Sequence, residues 1–126
     1  GEGAPRFLEE WMFKIVKRGE APRGKIAAVE FEGESYGAGF SFFVGDLLPG
    51  QGPALHRHPY PEICIVHAGQ AAMTIDGREV VAGAGDIVII EPGSPHSFRA
   101  IGADRLEAVA IHAAGRFVIE WLGDRG

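Results

Sequence analysis

Along most of this chain, apolar and polar positions follow one another in short runs, and glycine, proline or an acidic–glycine pair closes each run. Segments of that length, apolar or alternating with a period of two, predict strands rather than helices. The predicted strands are Lys25–Glu32, Gly39–Leu48, Ala54–His58, Ile63–Ala68, Ala71–Ile75, Arg78–Val81, Ile87–Ile90, His96–Ile101, Arg105–His112 and Phe117–Trp121. Asp76-Gly77 between two of them marks a tight hairpin, because a type I′ turn needs positive φ at both central residues. Gly83, Gly85 and Gly93 mark further corners. Over Pro5–Lys17 the pattern changes: Phe7, Leu8, Trp11, Met12 and Ile15 recur at helical spacing and predict a short helix, although Met12–Val16 also suits a strand. The pattern as a whole predicts one all-β domain, an antiparallel barrel or sandwich over residues 25–126, preceded by an irregular arm over 1–24.

Composition narrows the class. A chain of 126 residues with 46% apolar residues can bury a core without disulfide staples. No apolar run approaches the ~20 residues a membrane helix needs, and no basic-then-apolar start of the signal-peptide kind is present after Gly1. The single cysteine, Cys64, excludes an internal disulfide and fits a reducing cytoplasm, the expected location. A net charge of −5 with scattered Lys and Arg argues against nucleic acid and acidic membranes as partners, which leaves a small molecule. A small open barrel also leaves strand edges and apolar faces to cover. Phe7, Leu8, Trp11 and Phe13, with Phe117, Ile119 and Trp121, supply more apolar surface than one small core requires, so a homodimer through these terminal segments is expected.

The candidate chemistry is a set of metal-ligand residue types: His56, His58, Glu62 and His96. Residues two apart in a strand share a face, so His56 and His58 project together. Glu62 returns to that face after the Pro59-Tyr60-Pro61 bend, while His96 must arrive from a distant strand. Structural zinc sites usually contain cysteine. Histidines and a carboxylate without cysteine suit five or six coordination with positions left open, for one divalent transition metal among Fe, Mn, Ni and Zn. One carboxylate against a dication leaves a positive centre able to act as a Lewis acid.

These residues resemble the cupin superfamily. The first cupin motif, G-x5-H-x-H-x3-E-x6-G, is matched by Gly50, His56, His58, Glu62 and Gly69, and the second, G-x5-P-x-G-x2-H-x3-N, by Gly85, Gly93 and His96. The chain departs from the second motif at Glu91, where proline is usual, and at Ala100, where Asn is usual. The resemblance implies a jelly-roll β-barrel with its metal inside the mouth, and Cys64, Val66, Met73, Ile75 and Phe98 as interior residues. Cys64 is then either a core side chain or a soft extra ligand. His112 and Tyr60 are the candidate catalytic side chains: His112 as an acid–base group at the cavity, a partner behind the metal ligands or a strand-end histidine bonded to backbone, Tyr60 as a lid or a cover for the rim. Glu91 either steers a ligand imidazole or is solvated in its turn, and His67 points away from the metal. Cupin chemistry is broad, so fold does not fix function. The leading expectation is a metal-dependent dioxygenase or related oxidoreductase acting on a metal-chelating organic substrate. Beside it stand a redox-neutral isomerase or lyase and a non-catalytic metal-dependent binding or sensor protein.

Overall fold

The computed structural model describes residues 12–24 and 27–123. Its strands are β1 (Ala27–Glu32), β2 (Ser41–Leu47), β3 (His56–Arg57), β4 (Glu62–Ala68), β5 (Gln70–Ile75), β6 (Arg78–Gly83), β7 (Ile87–Ile90), β8 (His96–Ile101), β9 (Leu106–His112) and β10 (Glu120–Trp121). They form two five-stranded sheets, ordered β1-β2-β9-β4-β7 and β10-β3-β8-β5-β6, and every paired ladder is antiparallel. The ladders do not close around the two sheets, which face each other as the halves of a jelly roll. No helix among the described residues is long and apolar enough to cross a membrane.

The alternation of β4 sets the arrangement. Glu62, Cys64 and Val66 are buried while Ile63, Ile65 and His67 are exposed, as a period of two requires when one face meets a core. The buried face continues through Leu47, Met73, Ala100, Leu106 and Ala108, with Ile75 and Phe98 packed against it. The hairpin after β5 turns where expected, with φ of 53° at Asp76 and 79° at Gly77. On the outer face of the first sheet, Ile63 and Ile65 lie beside Ile89 and Ile87, at exposures of 40%, 37%, 68% and 63%. The ladder extends this apolar face through Ile111 and Val109 to Phe42 and Val44, then to Phe31 and Val29.

Two expectations change. The Phe7–Ile15 helix falls largely outside the described residues, but Met12–Val16 forms neither helix nor strand. Met12 has a φ of 59°, and the Met12, Phe13 and Ile15 side chains are exposed at 85%, 52% and 61%. At the other end, Phe117, Ile119 and Trp121 are among the residues that line a cavity.

Candidate metal centre

The two sheets deliver the site in two rungs. In the first, Glu62 on β4 pairs with His112 on β9, which pairs in turn with Ser41 on β2. In the second, His56 on β3 is paired directly with His96 on β8 and flanked by Trp121 on β10. His58 follows β3, ahead of the Pro59-Tyr60-Pro61 bend that returns the chain to Glu62. His56, His58, Glu62 and His96 are all buried, each offering one ligand atom, and those atoms lie within 4.8 Å of one another. Cys64 stays in the core, outside this set.

Backbone carbonyls orient three of the rings. His56 Nδ1 lies 2.7 Å from the Ala54 carbonyl, His58 Nδ1 2.8 Å from that of Tyr60, and His96 Nδ1 2.8 Å from that of Ser94. A carbonyl only accepts, so the network assigns the proton to Nδ1 in each ring and leaves Nε2 to face the site. The Glu62 Oε1 oxygen receives His58 Nε2 at 2.9 Å and His96 Nε2 at 3.3 Å. His96 Nε2 lacks the alignment of a hydrogen bond and is buried with no partner. Nitrogens converging on a carboxylate with Nδ1–H already committed demand a cation between them, either further protons or a metal ion. The donor set therefore fits a divalent metal.

The electrostatics agree. Burial opposes the charge on Glu62, but His112, His58 and His96 outweigh it and hold the carboxyl far below the usual carboxylate range. Desolvation pushes His56 down to about 4, keeping it neutral and available as a ligand near pH 7. For His96, burial is outweighed by the Glu62 carboxylate and the Ser94 carbonyl, and the value rises. Burial, with Glu62 nearby, pushes the Cys64 thiol up to about 12, so it remains a neutral, unreactive core group.

The cupin-domain family profile matches residues 43–112, more than half of the chain and all four candidate ligands. The chain belongs to the cupin family. No curated protein matches this cupin over its sequence. Among solved structures it resembles an uncharacterised protein with a double-stranded β-helix domain from Klebsiella pneumoniae, with 27% identity and a TM-score of 0.62 over 68% of this chain and 76% of that one. It also resembles oxalate decarboxylase from Bacillus subtilis, with 25% identity and a TM-score of 0.65. That alignment covers 74% of this cupin but spans only 27% of the decarboxylase chain. A further structure of the Bacillus subtilis enzyme, described for its Mn(II) centres, matches at 26% identity and a TM-score of 0.62 over 71% of this chain and 25% of that one.

The two candidate catalytic residues meet beside the cupin's ligand set. Tyr60 is buried, its ring stacked on His58 at 4.5 Å, and its hydroxyl lies 2.7 Å from His112 Nδ1. His112 is buried as well, and its Nε2 approaches Glu62 Oε1 at 3.2 Å. Val118 N–H donates to the Tyr60 oxygen at 3.1 Å, which leaves the phenolic proton to be donated to His112 Nδ1. Burial raises the Tyr60 phenol, so it keeps that proton. The network thus assigns His112 the opposite tautomer to the other three rings, with its proton on Nε2. Glu91 is exposed, and the steering of His96 falls instead to the Ser94 carbonyl. His67 is exposed.

Above the centre lies a cavity of about 330 Å³. Its polar lining is Glu30, His56, Glu62 and His112, and the remainder is apolar, with Phe43, Phe98, Phe117 and Trp121 as the large side chains. The segment from Ala113 to Ile119 straps the mouth. Ser41 Oγ donates to the Ala114 carbonyl at 2.8 Å, Glu34 N–H to the Gly115 carbonyl at 2.8 Å, and Phe117 N–H to Glu32 Oε2 at 2.9 Å. Residue counting does not reveal this strap, because its binding runs through backbone groups.

Proposed function

We propose that this cupin is a metal-dependent enzyme that binds a small oxygen-bearing organic molecule at the His56–His58–Glu62–His96 centre and transfers a proton through His112. The observation that carries the reading is the Tyr60–His112–Glu62 chain of contacts, at 2.7 Å and 3.2 Å. A mere binding protein has no need of a second, differently protonated imidazole beside its ligands. A bound divalent metal supplies a Lewis acid that polarises a chelated oxygen. His112 holds a proton at Nε2, Tyr60 fixes that tautomer from behind, and the aromatic walls exclude water.

This arrangement favours a redox-neutral reaction, a lysis or isomerisation, with manganese as a leading candidate metal. The likeness to oxalate decarboxylase, and the Mn(II) centres named for that enzyme, support the choice. The dioxygenase reading stands second, supported by a ligand set suited to Fe(II) and a largely apolar cavity. The test is reconstitution with Mn(II), Fe(II), Ni(II) and Zn(II), following product and oxygen over a panel of dicarboxylates, hydroxy acids, diketones and catechols. Turnover without oxygen use selects the lyase or isomerase branch, oxygen uptake with iron selects the dioxygenase, and binding without turnover under every metal selects the sensor. With an active metal and substrate, His112→Gln is expected to lower kcat by about 10²–10⁴-fold, the span of a lost general acid–base group, while metal content stays near that of the unaltered protein. Tyr60→Phe is expected to lower kcat less and to leave KM in place. Loss of metal in His112→Gln would make it a structural partner of Glu62 instead.

We also propose a homodimer, formed by the outer face of the first sheet and not by the terminal aromatics. The apolar rows of β7, β4, β9, β2 and β1 form a continuous sheet face, and a second copy of the same face suits a two-fold, self-complementary contact. An Ile87→Lys, Ile89→Lys double substitution is expected to convert a dimer in light scattering to a monomer, with metal content unchanged. A monomer in the unaltered protein at micromolar concentration would refute the proposal. The free, buried Cys64 supports a reducing compartment such as the cytoplasm.

A further inference from the structure

Glu30 is the one acidic side chain of the cavity lining, among the described residues, that does not belong to the ligand set. It sits on β1, three strands across the sheet from Glu62, in an inward rung whose next members are Phe43, Ala110, Cys64 and Val88. At about 4.8 Å per strand and about 3.3 Å per residue, Glu30 lies roughly 16 Å from Glu62 measured along the sheet, since its own rung crosses β4 at Cys64, and nearer across the concave face. No ion pair or side-chain hydrogen bond of the described residues engages its carboxylate. The preceding segment is fitted against it: Glu30 N–H donates to the Pro22 carbonyl at 2.9 Å. The bare Cα of Gly24 lies against the carboxylate, where any Cβ would collide with Glu30 Oε1. Between Glu30 and the metal centre stand the stacked rings of Phe43 and Phe117, 4.1 Å apart, with Trp121 and Phe98 nearby.

A half-buried carboxylate in a largely apolar cavity, with no partner among the described residues, is costly unless a ligand pairs with it. With a dication bound against the single Glu62 carboxylate the ligand end would be positive, and Glu30 would set a negative charge apart from it in the same cavity. Aromatic faces beside an anion favour an organic cation. We propose that Glu30 is a specificity-determining residue that receives an ammonium group. The ligand is then a zwitterion, with an oxygen-bearing anionic head at the metal and an ammonium tail at Glu30, joined by an apolar spacer of about one aromatic ring. The head group in this statement rests on the metal-site reading above, whereas the tail rests on Glu30 alone.

The experiment measures calorimetric affinities on zinc-loaded protein near pH 7 for two matched pairs, benzylamine against benzyl alcohol and 4-(aminomethyl)benzoate against 4-methylbenzoate. In each pair the amine is expected to bind at least about tenfold more tightly, the scale of a charge-assisted contact in a desolvated site. In Glu30→Gln, isosteric but neutral, each preference is expected to fall to within about twofold. The melting temperature and zinc content of the variant are checked against the parent. Equal binding within the pairs, a preference that survives Glu30→Gln, or no benzylamine binding up to about 10 mM would overturn the proposal. So would a variant that merely associates, since an inward charge on an edge strand also guards against edge pairing. A protein that takes up none of Zn(II), Mn(II), Fe(II) and Ni(II) yet prefers benzylamine through Glu30 refutes the metal reading and leaves the ammonium site standing.

Discussion

Glu62→Gln is expected to strip the protein of its metal. The carboxylate is 3% exposed and supplies the only negative charge in the ligand set. Its contacts with the rings around it hold it ionised far below the usual carboxylate range. The substitution keeps the shape, removes the charge, and places an amide dipole where several imidazoles converge. Loss of a partner behind a ligand typically costs 10–100-fold in metal affinity, so loss of the charged ligand itself is expected to cost more than about a hundredfold. Elemental analysis after equilibration against a weak chelator reads this as a fall from about one metal per chain to less than a tenth of that. His96→Ala should show the same loss, because its Nε2 has no other partner in the buried site. Glu91→Gln should show none, since Glu91 is exposed and the Ser94 carbonyl orients His96. Full metal occupancy in Glu62→Gln would remove it from the ligand set.

The contrast between Glu62 and Glu91 shows what the sequence makes legible. Ligand residue types at short, glycine-bounded spacing are readable because a strand fixes which side chains share a face, and the fold had only to add His96 from β8. The resemblance to cupins placed Cys64, Val66 and Met73 in the interior, where each is no more than 2% exposed. The orienting groups were not readable. The carbonyls of Ala54, Tyr60 and Ser94 carry no side-chain signature. Tyr60 and His112 meet across 52 positions of sequence, and the parity of β9 alone could not decide between a catalytic histidine and a strand-end one. Ladder register adds what parity lacks, by setting His112 opposite Glu62 and so beside the candidate ligands. The placement of the C-terminal aromatics was not readable for a related reason. Counting apolar residues does not distinguish a barrel interior from a dimer surface, and Phe117, Ile119 and Trp121 turn inward because backbone contacts strap their segment across the mouth. At the amino-terminal end, Met12 and Ile15, the described members of the helical spacing, are exposed.

Gly69→Ala is expected to cause a large loss of stability. Gly69 joins β4 to β5 with a φ of +81°, and a Cβ there would collide with the Arg105 carbonyl and lie 3.0 Å from Leu106 Cα. Leu106 opens β9 and is 1% exposed, and the β4–β9 ladder already shifts register between Val66 and Ala68. The obstructing atoms are backbone, so the rung between the two strands must move for the methyl to fit. Gly77 is the control: its φ of +79° is nearly the same, and nothing lies within 4 Å of the added Cβ. Both substitutions carry the left-handed penalty of about 1–2 kcal/mol, and only Gly69→Ala adds the overlap. We expect Gly77→Ala to cost about 1 kcal/mol and Gly69→Ala at least about 3 kcal/mol, placing the second among the large single-residue losses. At roughly 4 °C per kcal/mol for a domain of this size, the melting temperatures should fall by about 4 °C and by 12 °C or more. Urea titrations with unchanged slope would attribute both losses to the folded state. Equal losses would mean that backbone conformation alone requires the glycine, and that β4 and β9 yield to a methyl without cost.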